Sequence, residues 1–307
     1  MRKPRALAPG DRVAVVAPAS PFRRDEFDAG IAEIRRLGFE PVYDESVFAT
    51  ARYVAGRPEV RAAALRAALA DSSVAAVIGV RGGYGSAQIL PLLDAAEVTR
   101  AGKALVGYSD LTALLTFFTL GCGLVAFHGP MLAGRLGRGA AGYDRDTFVG
   151  ALTRPAPLGE LAPPGLASLG GGEARGMLLG GTLTQLAASL GTPFAFAPPR
   201  GYVLFLDEVH ERPYRIDRLL TQCRQAGLLS RALAIVIGEL PDCDEPSGQP
   251  TARAVVADLL ADFPGPVLIG FPSGHTVGPA MTLPFGVEAR VIGGARPRVV
   301  IEESAVE

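Results

Sequence analysis

The chain has 307 residues, 49% hydrophobic and 20% charged, with a formal net charge of −1. Such a chain buries a sizeable core, has two domains as its default expectation, and offers no electrostatic handle for nucleic acid or an anionic membrane. Its three cysteines, Cys122, Cys223 and Cys243, form no C-x-x-C pair, which argues against a disulfide framework or structural zinc and for a reducing compartment. The first residues lack the apolar stretch of a signal peptide, and no apolar run is long enough to span a bilayer, so a cytoplasmic protein with a small-molecule partner is expected.

From the N-terminus, strand-like and helix-like segments alternate. Residues 12–17 are rich in valine, and 27–37 carry helical periodicity closed by Gly38. A helix is predicted over 58–70, a buried strand over 74–80, a helix over 86–93 and a short strand over 104–107. This order predicts βαβ units around a parallel sheet. Ligands of such sheets bind beyond the carboxyl ends of the strands. Three of those ends carry unusual residues: Pro18-Ala19-Ser20, Arg81-Gly82-Gly83-Tyr84-Gly85 and Tyr108-Ser109-Asp110.

The last of these is the most telling. Leu105-Val106-Gly107-Tyr108-Ser109-Asp110-Leu111 passes from an apolar strand through a serine into the apolar helical segment 111–118. A sharp strand-to-helix turn lifts the intervening side chain out of the sheet and aims the first free helical N–H groups at the same point. Only half of the Gly-x-Ser-x-Gly signature is present, so Ser109 reads either as a nucleophile or as a helix N-cap.

Residues 154–172 are rich in proline and glycine and read as a linker between an N-terminal domain (1–153) and a C-terminal domain (173–307). The second half predicts helices at 182–189 and 216–226 and strands at 202–206, 232–238, 267–269, 287–292 and 298–302, a smaller mixed α/β unit.

A serine hydroxyl needs a base, and the base an orienting acid. Of the three histidines, His128 lies in an apolar setting and reads as a structural hydrogen-bonding residue. His210 sits in a charged loop with Asp207, Glu208 and Glu211, without zincin spacing. His275 follows an apolar strand in a loop of glycines and prolines, either as a perched base or as an exposed loop residue. Asp207 directly follows the buried run 203–206, with Glu208 beside it, and strand alternation points the two in opposite directions.

Taken in order, these residues resemble the LD-carboxypeptidases (muramoyltetrapeptide carboxypeptidases), serine peptidases that include the microcin C immunity peptidases. The resemblance is carried by Gly10 to Ser20, Arg81 to Gly85, Gly107 to Asp110, Phe127-His128-Gly129-Pro130-Met131, Gly180 to Thr184, Pro213 to Arg218 and Gly274-His275-Thr276. It implies a flavodoxin-like parallel-sheet N-terminal domain, a site at the domain interface, Ser109 as nucleophile, His275 as base and a following-strand acid as its partner. That acid is typically a glutamate followed by another acid. Here Asp207 occupies the position counted back from Pro213-Tyr214, so Asp207 is favoured over Glu208.

The resemblance further implies an oxyanion hole from Gly83 and the N–H of Asp110, no metal or other cofactor, a homodimer, and a murein tetrapeptide substrate that loses its terminal D-alanine in cell-wall recycling. Backbone N–H groups or an arginine such as Arg81 are candidates for holding the substrate carboxylate. Dinucleotide binding by 81–85 is disfavoured because Gly-x-Gly-x-x-Gly spacing is missing. Two alternatives stay open. One is an immunity-type peptidase cleaving aminoacyl-nucleotide-like amides, against which stand the absence of tryptophan and the 7% aromatic content. The other is a non-catalytic two-domain ligand-binding protein.

Overall fold

The computed structural model describes residues 1–307. In chain order its strands are β1 (Arg12–Val16), β2 (Glu40–Val42), β3 (Val74–Gly79), β4 (Ala104–Gly107), β5 (Ala126–His128), β6 (Gly159–Leu161) and β7 (Ala167–Gly170). They continue as β8 (Glu173–Thr182), β9 (Tyr202–Asp207), β10 (Ala232–Gly238), β11 (Val267–Phe271), β12 (Leu283–Phe285), β13 (Glu288–Ile292) and β14 (Arg298–Ile301). The α-helices are α1 (Arg24–Arg36), α2 (Pro58–Ala70), α3 (Ser86–Ile89), α4 (Ala95–Ala101), α5 (Thr112–Thr116), α6 (Arg145–Thr153), α7 (Leu183–Ser189), α8 (Pro213–Gln225) and α9 (Ala252–Leu259).

The first sheet has the order β12-β5-β4-β3-β1-β2. Five of its strands are parallel in the flavodoxin-like order, because each crossover carries the chain back to the same end of the sheet before the next strand begins. The sixth, β12, returns from the far end of the chain and adds antiparallel to β5. Every residue of β3 and β4 is buried, which is why both read as continuous apolar runs.

The second sheet runs β6-β14-β13-β8-β9-β10-β11-β7, a parallel centre from β8 to β11 with antiparallel strands on both flanks. Its two outermost strands, β6 and β7, come from the stretch 154–172 expected as a linker. Apolar residues there are too few to show a period, and the ladder to β14 and β11 supplies what the side chains do not.

Alternation along the central strands sorts their side chains between two cores. Val203 and Phe205 of β9, with Ala234 and Val236 of β10, join the large cluster that also holds Leu105, Val106 and Phe127 of the first sheet. Tyr202, Leu204 and Leu206 face the opposite way, onto α7, α8 and α9. One hydrophobic core therefore runs across both halves, and the carboxyl ends of β4 and β9 meet at its edge. Polar bonds close the seam: the Thr182 N–H donates to Thr112 Oγ1 at 3.0 Å and the Asp144 N–H to the Ala280 carbonyl at 2.9 Å. No helix is long and apolar enough to cross a membrane.

Candidate active site

β4 delivers Ser109. After Gly107 the chain is extended at Tyr108, and Ser109 itself takes a left-handed backbone conformation, φ +62°. For a residue with a Cβ this costs about 1–2 kcal/mol. A helical run follows at once, a 3₁₀ turn over Ser109–Leu111 passing into α5. Leu111 packs back over β3 and β4, and a Cβ on Gly79 or Gly107 would fall on its side chain, so both glycines allow the tight turn. The Asp110 carboxylate is buried and accepts the Ser86 N–H at 2.7 Å, tying the turn to the start of α3.

Asp207 is set by β9. It continues the parity of Val203 and Phe205, so its side chain points at the first sheet, where it is fully buried. His275 comes from the loop after β11. Its Nδ1 lies 2.6 Å from Asp207 Oδ2, and its backbone N–H donates to the same oxygen at 2.9 Å. The other ring nitrogen, Nε2, lies 3.2 Å from Ser109 Oγ. Thr182 Oγ1 donates to the second Asp207 oxygen at 2.8 Å. A hydroxyl, an imidazole and a carboxylate thus stand in series across the seam, an arrangement that can take a proton from an attacking oxygen and hold it.

Glu208 points elsewhere. Its carboxylate accepts the Thr184 N–H at 2.8 Å, the Thr184 hydroxyl and its neighbour Val209 N–H, so it anchors the start of α7. Burial pushes the Glu208 pKa up, against the pull of its Thr184 and Val209 bonds. For Asp207 the order reverses. Burial again opposes the charged form, but the facing imidazoles of His275 and His128 win and hold the carboxyl well below its ordinary value. Burial pulls His275 down, and the Asp207 carboxylate outweighs it, leaving the imidazole pKa above the usual 6.5.

The loop 81–85 lies against this serine. A Cβ on Gly82 would stand 2.8 Å from Ser109 Cβ and 3.3 Å from the Asp110 nitrogen, so only glycine leaves the space open. Gly83 has φ +95° and packs on Ser20, and its N–H donates to no protein acceptor. The Asp110 N–H sits in the first helical turn, where backbone donors have no intrahelical partner. Ser20 braces the loop, donating to the Tyr53 carbonyl and accepting the Tyr84 N–H, both at 3.1 Å.

The remaining candidates separate. Arg81 is exposed, with a 3.4 Å contact to the Pro21 carbonyl. His210 is exposed, 3.7 Å from the equally exposed Asp242. His128 is fully buried at the end of β5, with Nδ1 3.0 Å from Ser273 Oγ. Several residues that shape the site carried no sequence signal of that role: Thr182 and Gly82 stood inside quoted motifs without an assignment. Arg135 and Glu239 were silent. The Arg135 guanidinium donates to the carbonyls of Thr276 and, at 2.8 Å, Gly278, while Glu239 accepts the Val277 N–H at 2.8 Å, so the two clamp the His275 loop.

Residues 13–129 match the LD-carboxypeptidase N-terminal domain and residues 175–291 the LD-carboxypeptidase C-terminal domain. The murein tetrapeptide carboxypeptidase of Pseudomonas aeruginosa is 33% identical over 86% of this chain and 88% of its own. A solved muramoyltetrapeptide carboxypeptidase from Oxalobacter formigenes is 28% identical, covers 95% of this chain and 99% of its own, and superposes with a TM-score of 0.83. The microcin C7 self-immunity protein MccF, in an inactive-mutant apo structure, shares the fold over 100% of both chains with a TM-score of 0.90 at 22% identity. On the match of both its halves and on this full-length similarity, the chain belongs to the LD-carboxypeptidase family of serine peptidases.

Proposed function

We propose that this protein is an L,D-carboxypeptidase that releases the terminal D-alanine of murein tetrapeptides in cell-wall recycling. The observation that carries the reading is the continuous series Ser109 Oγ, His275 Nε2 at 3.2 Å, and Asp207 Oδ2 2.6 Å from His275 Nδ1, in a chain aligned almost throughout with a murein tetrapeptide carboxypeptidase. Ser109 attacks the carbonyl carbon of the L-centre while His275 Nε2 takes its proton. The N–H groups of Gly83 and Asp110 receive the oxyanion, and their hydrogen bonds strengthen as its charge develops, with the donors already in place and no reorganisation needed. His275 returns the proton to the departing D-alanine nitrogen, and Asp207 stabilises the imidazolium in between. Water then hydrolyses the acyl-enzyme by the same route. We assign the enzyme to the cytoplasm as a homodimer, by resemblance, and three buried unpaired cysteines suit that reducing compartment.

The test is D-alanine release from L-Ala-γ-D-Glu-meso-diaminopimelate-D-Ala by wild type and Ser109→Ala, with chelator present. Wild type releases D-alanine and the variant falls by on the order of 10⁶ in kcat. A folded wild type that leaves the tetrapeptide intact, yet cleaves an aminoacyl sulfamoyl adenosine amide, overturns the substrate and moves it to the immunity type.

A further inference from the structure

Two buried charged side chains stand behind the oxyanion hole without touching each other. The Asp110 carboxylate hangs from the residue whose N–H is one of the two donors, and Asp110 is 2% exposed. Arg61, the fourth residue of α2, is also 2% exposed. Its guanidinium donates only to uncharged oxygens: the carbonyls of Pro18, of Gly56 at 2.9 Å and of Gly85 at 2.7 Å, and Gln88 Oε1. A cation taken out of water in this way calls for an anion nearby. Burial pulls the Arg61 pKa down, and Asp110 is the charge that most opposes that pull.

One peptide group joins the two. The Gly85 carbonyl accepts from Arg61 Nη1, and the N–H on the other side of that peptide bond, the N–H of Ser86, donates to Asp110 Oδ2 at 2.7 Å. The peptide dipole therefore lies with its oxygen on the cation and its hydrogen on the anion, the orientation that both charges favour. Gly85 has φ +131°, and a Cβ there would stand 2.7 Å from Arg61 Nη1, so a side chain at this position would push the guanidinium away. The same Nη1 donates to the Pro18 carbonyl, and the Ser20 N–H donates to the Gly82 carbonyl at 3.1 Å. Arg61 thus ties the loop after β1 to the loop after β3 that carries Gly83.

We propose that Arg61 is a positioning residue for the reaction: through the Gly85–Ser86 peptide it offsets the Asp110 charge beside the oxyanion and holds the Gly83 loop in place against the Asp110 N–H. The inference rests on the oxyanion hole assigned above. Negative charge grows on the substrate oxygen as the tetrahedral state forms, and a buried carboxylate on the very residue that donates to it opposes that growth in a low dielectric. A fixed cation one peptide group beyond the carboxylate cancels the opposition. Arg61 acts through Asp110 and the loop, not by contact with the substrate.

If Arg61 only braced the fold, neutralising Asp110 could not repair its loss; if it offsets Asp110, neutralisation does. We expect Arg61→Met to lower kcat for D-alanine release about 10²-fold with KM within about threefold, because the oxyanion exists only in the transition state. In an Asp110→Asn background the same substitution should lower kcat by less than about fivefold, a coupling that a double-mutant cycle reads directly. Arg61→Lys, which keeps the charge, should recover about tenfold of the loss. The rate at which a fluorophosphonate labels Ser109 depends on the same hole without any peptide and should follow the same order, so it decides the proposal even if the tetrapeptide is not the substrate. Should Arg61→Met fail to fold, Arg61→Gln against Arg61→Lys makes the same comparison with a polar end on both. A folded neutral variant with wild-type kcat and labelling, equal losses in the two Asp110 backgrounds, or Arg61→Lys no better than the neutral variant in both readouts overturns the proposal.

Discussion

The two halves of the site are built by different means. On the first sheet, Ser109 is presented by conformation: a left-handed serine at a turn, with glycines at 79, 82 and 107 clearing the space around it. On the second, Asp207 and His275 are presented by hydrogen bonds, with Thr182, the His275 backbone and the Arg135 and Glu239 clamps fixing what regular structure does not. A nucleophile must project from its surroundings, which favours a strained turn. A buried carboxylate must be surrounded, because each unfilled lone pair is a desolvation penalty.

This contrast predicts how each half fails. The largest effect on the hydrogen-bonded side should come from Asp207→Asn. It keeps the volume but loses the charge that raises the His275 pKa and the tautomer that presents Nε2 as a base, so kcat falls by on the order of 10⁴. His275 acts as base only when neutral. In wild type the acid limb of kcat/KM therefore has its inflection above 6.5, and with the carboxylate gone it moves to lower pH. An unmoved limb in a pH–rate series would mean that Asp207 does not set the base.

On the conformational side, Gly82→Ala adds one methyl group at the serine. Oxyanion donors must sit within tenths of an ångström of their target, so we expect a drop of about 10² in kcat with little change in melting temperature. Comparable kcat in alanine and wild-type enzymes would show that the turn tolerates filling and would weaken the contrast. The smallest catalytic effect belongs to Glu208→Ala, although it neighbours Asp207. Removing it strands the Thr184 and Val209 donors, lowering stability by about 1–3 kcal/mol in a denaturant titration while kcat stays within a few-fold. A collapse of kcat matching that of Asp207→Asn would reassign the acid.

Much of this was legible before any coordinates. The first sheet could be read because buried parallel strands such as β3 and β4 are unbroken apolar runs and helices such as α2 begin and end at clear signals; the helix predicted over 58–70 is found there. β6 and β7 were not legible, since edge strands of three and four residues with partly exposed side chains carry no hydrophobic period. β8 was not predicted, since glycines at 176, 180 and 181 weaken a strand pattern, although Gly181 packs against Thr112 across the seam. α8 starts at Pro213, three residues ahead of the predicted start, because proline fits the first turn of a helix where no N–H is needed.

The site divides along the same line. Residue type and local order determined which side chains were chemically equipped: a serine after a strand, a histidine in a glycine-bounded loop, an acid at a strand's end. These depend on neighbours in sequence, where periodicity and turn chemistry act. Tertiary structure alone decided that β9 turns Asp207, and not Glu208, toward the histidine. It also decided that Ser109 and His275 meet across 166 positions of chain, and that His128 comes to rest 3.7 Å from the Asp207 carboxylate. Those facts depend on how two sheets pack on one core, and no local pattern encodes the distance between residues that only packing brings together.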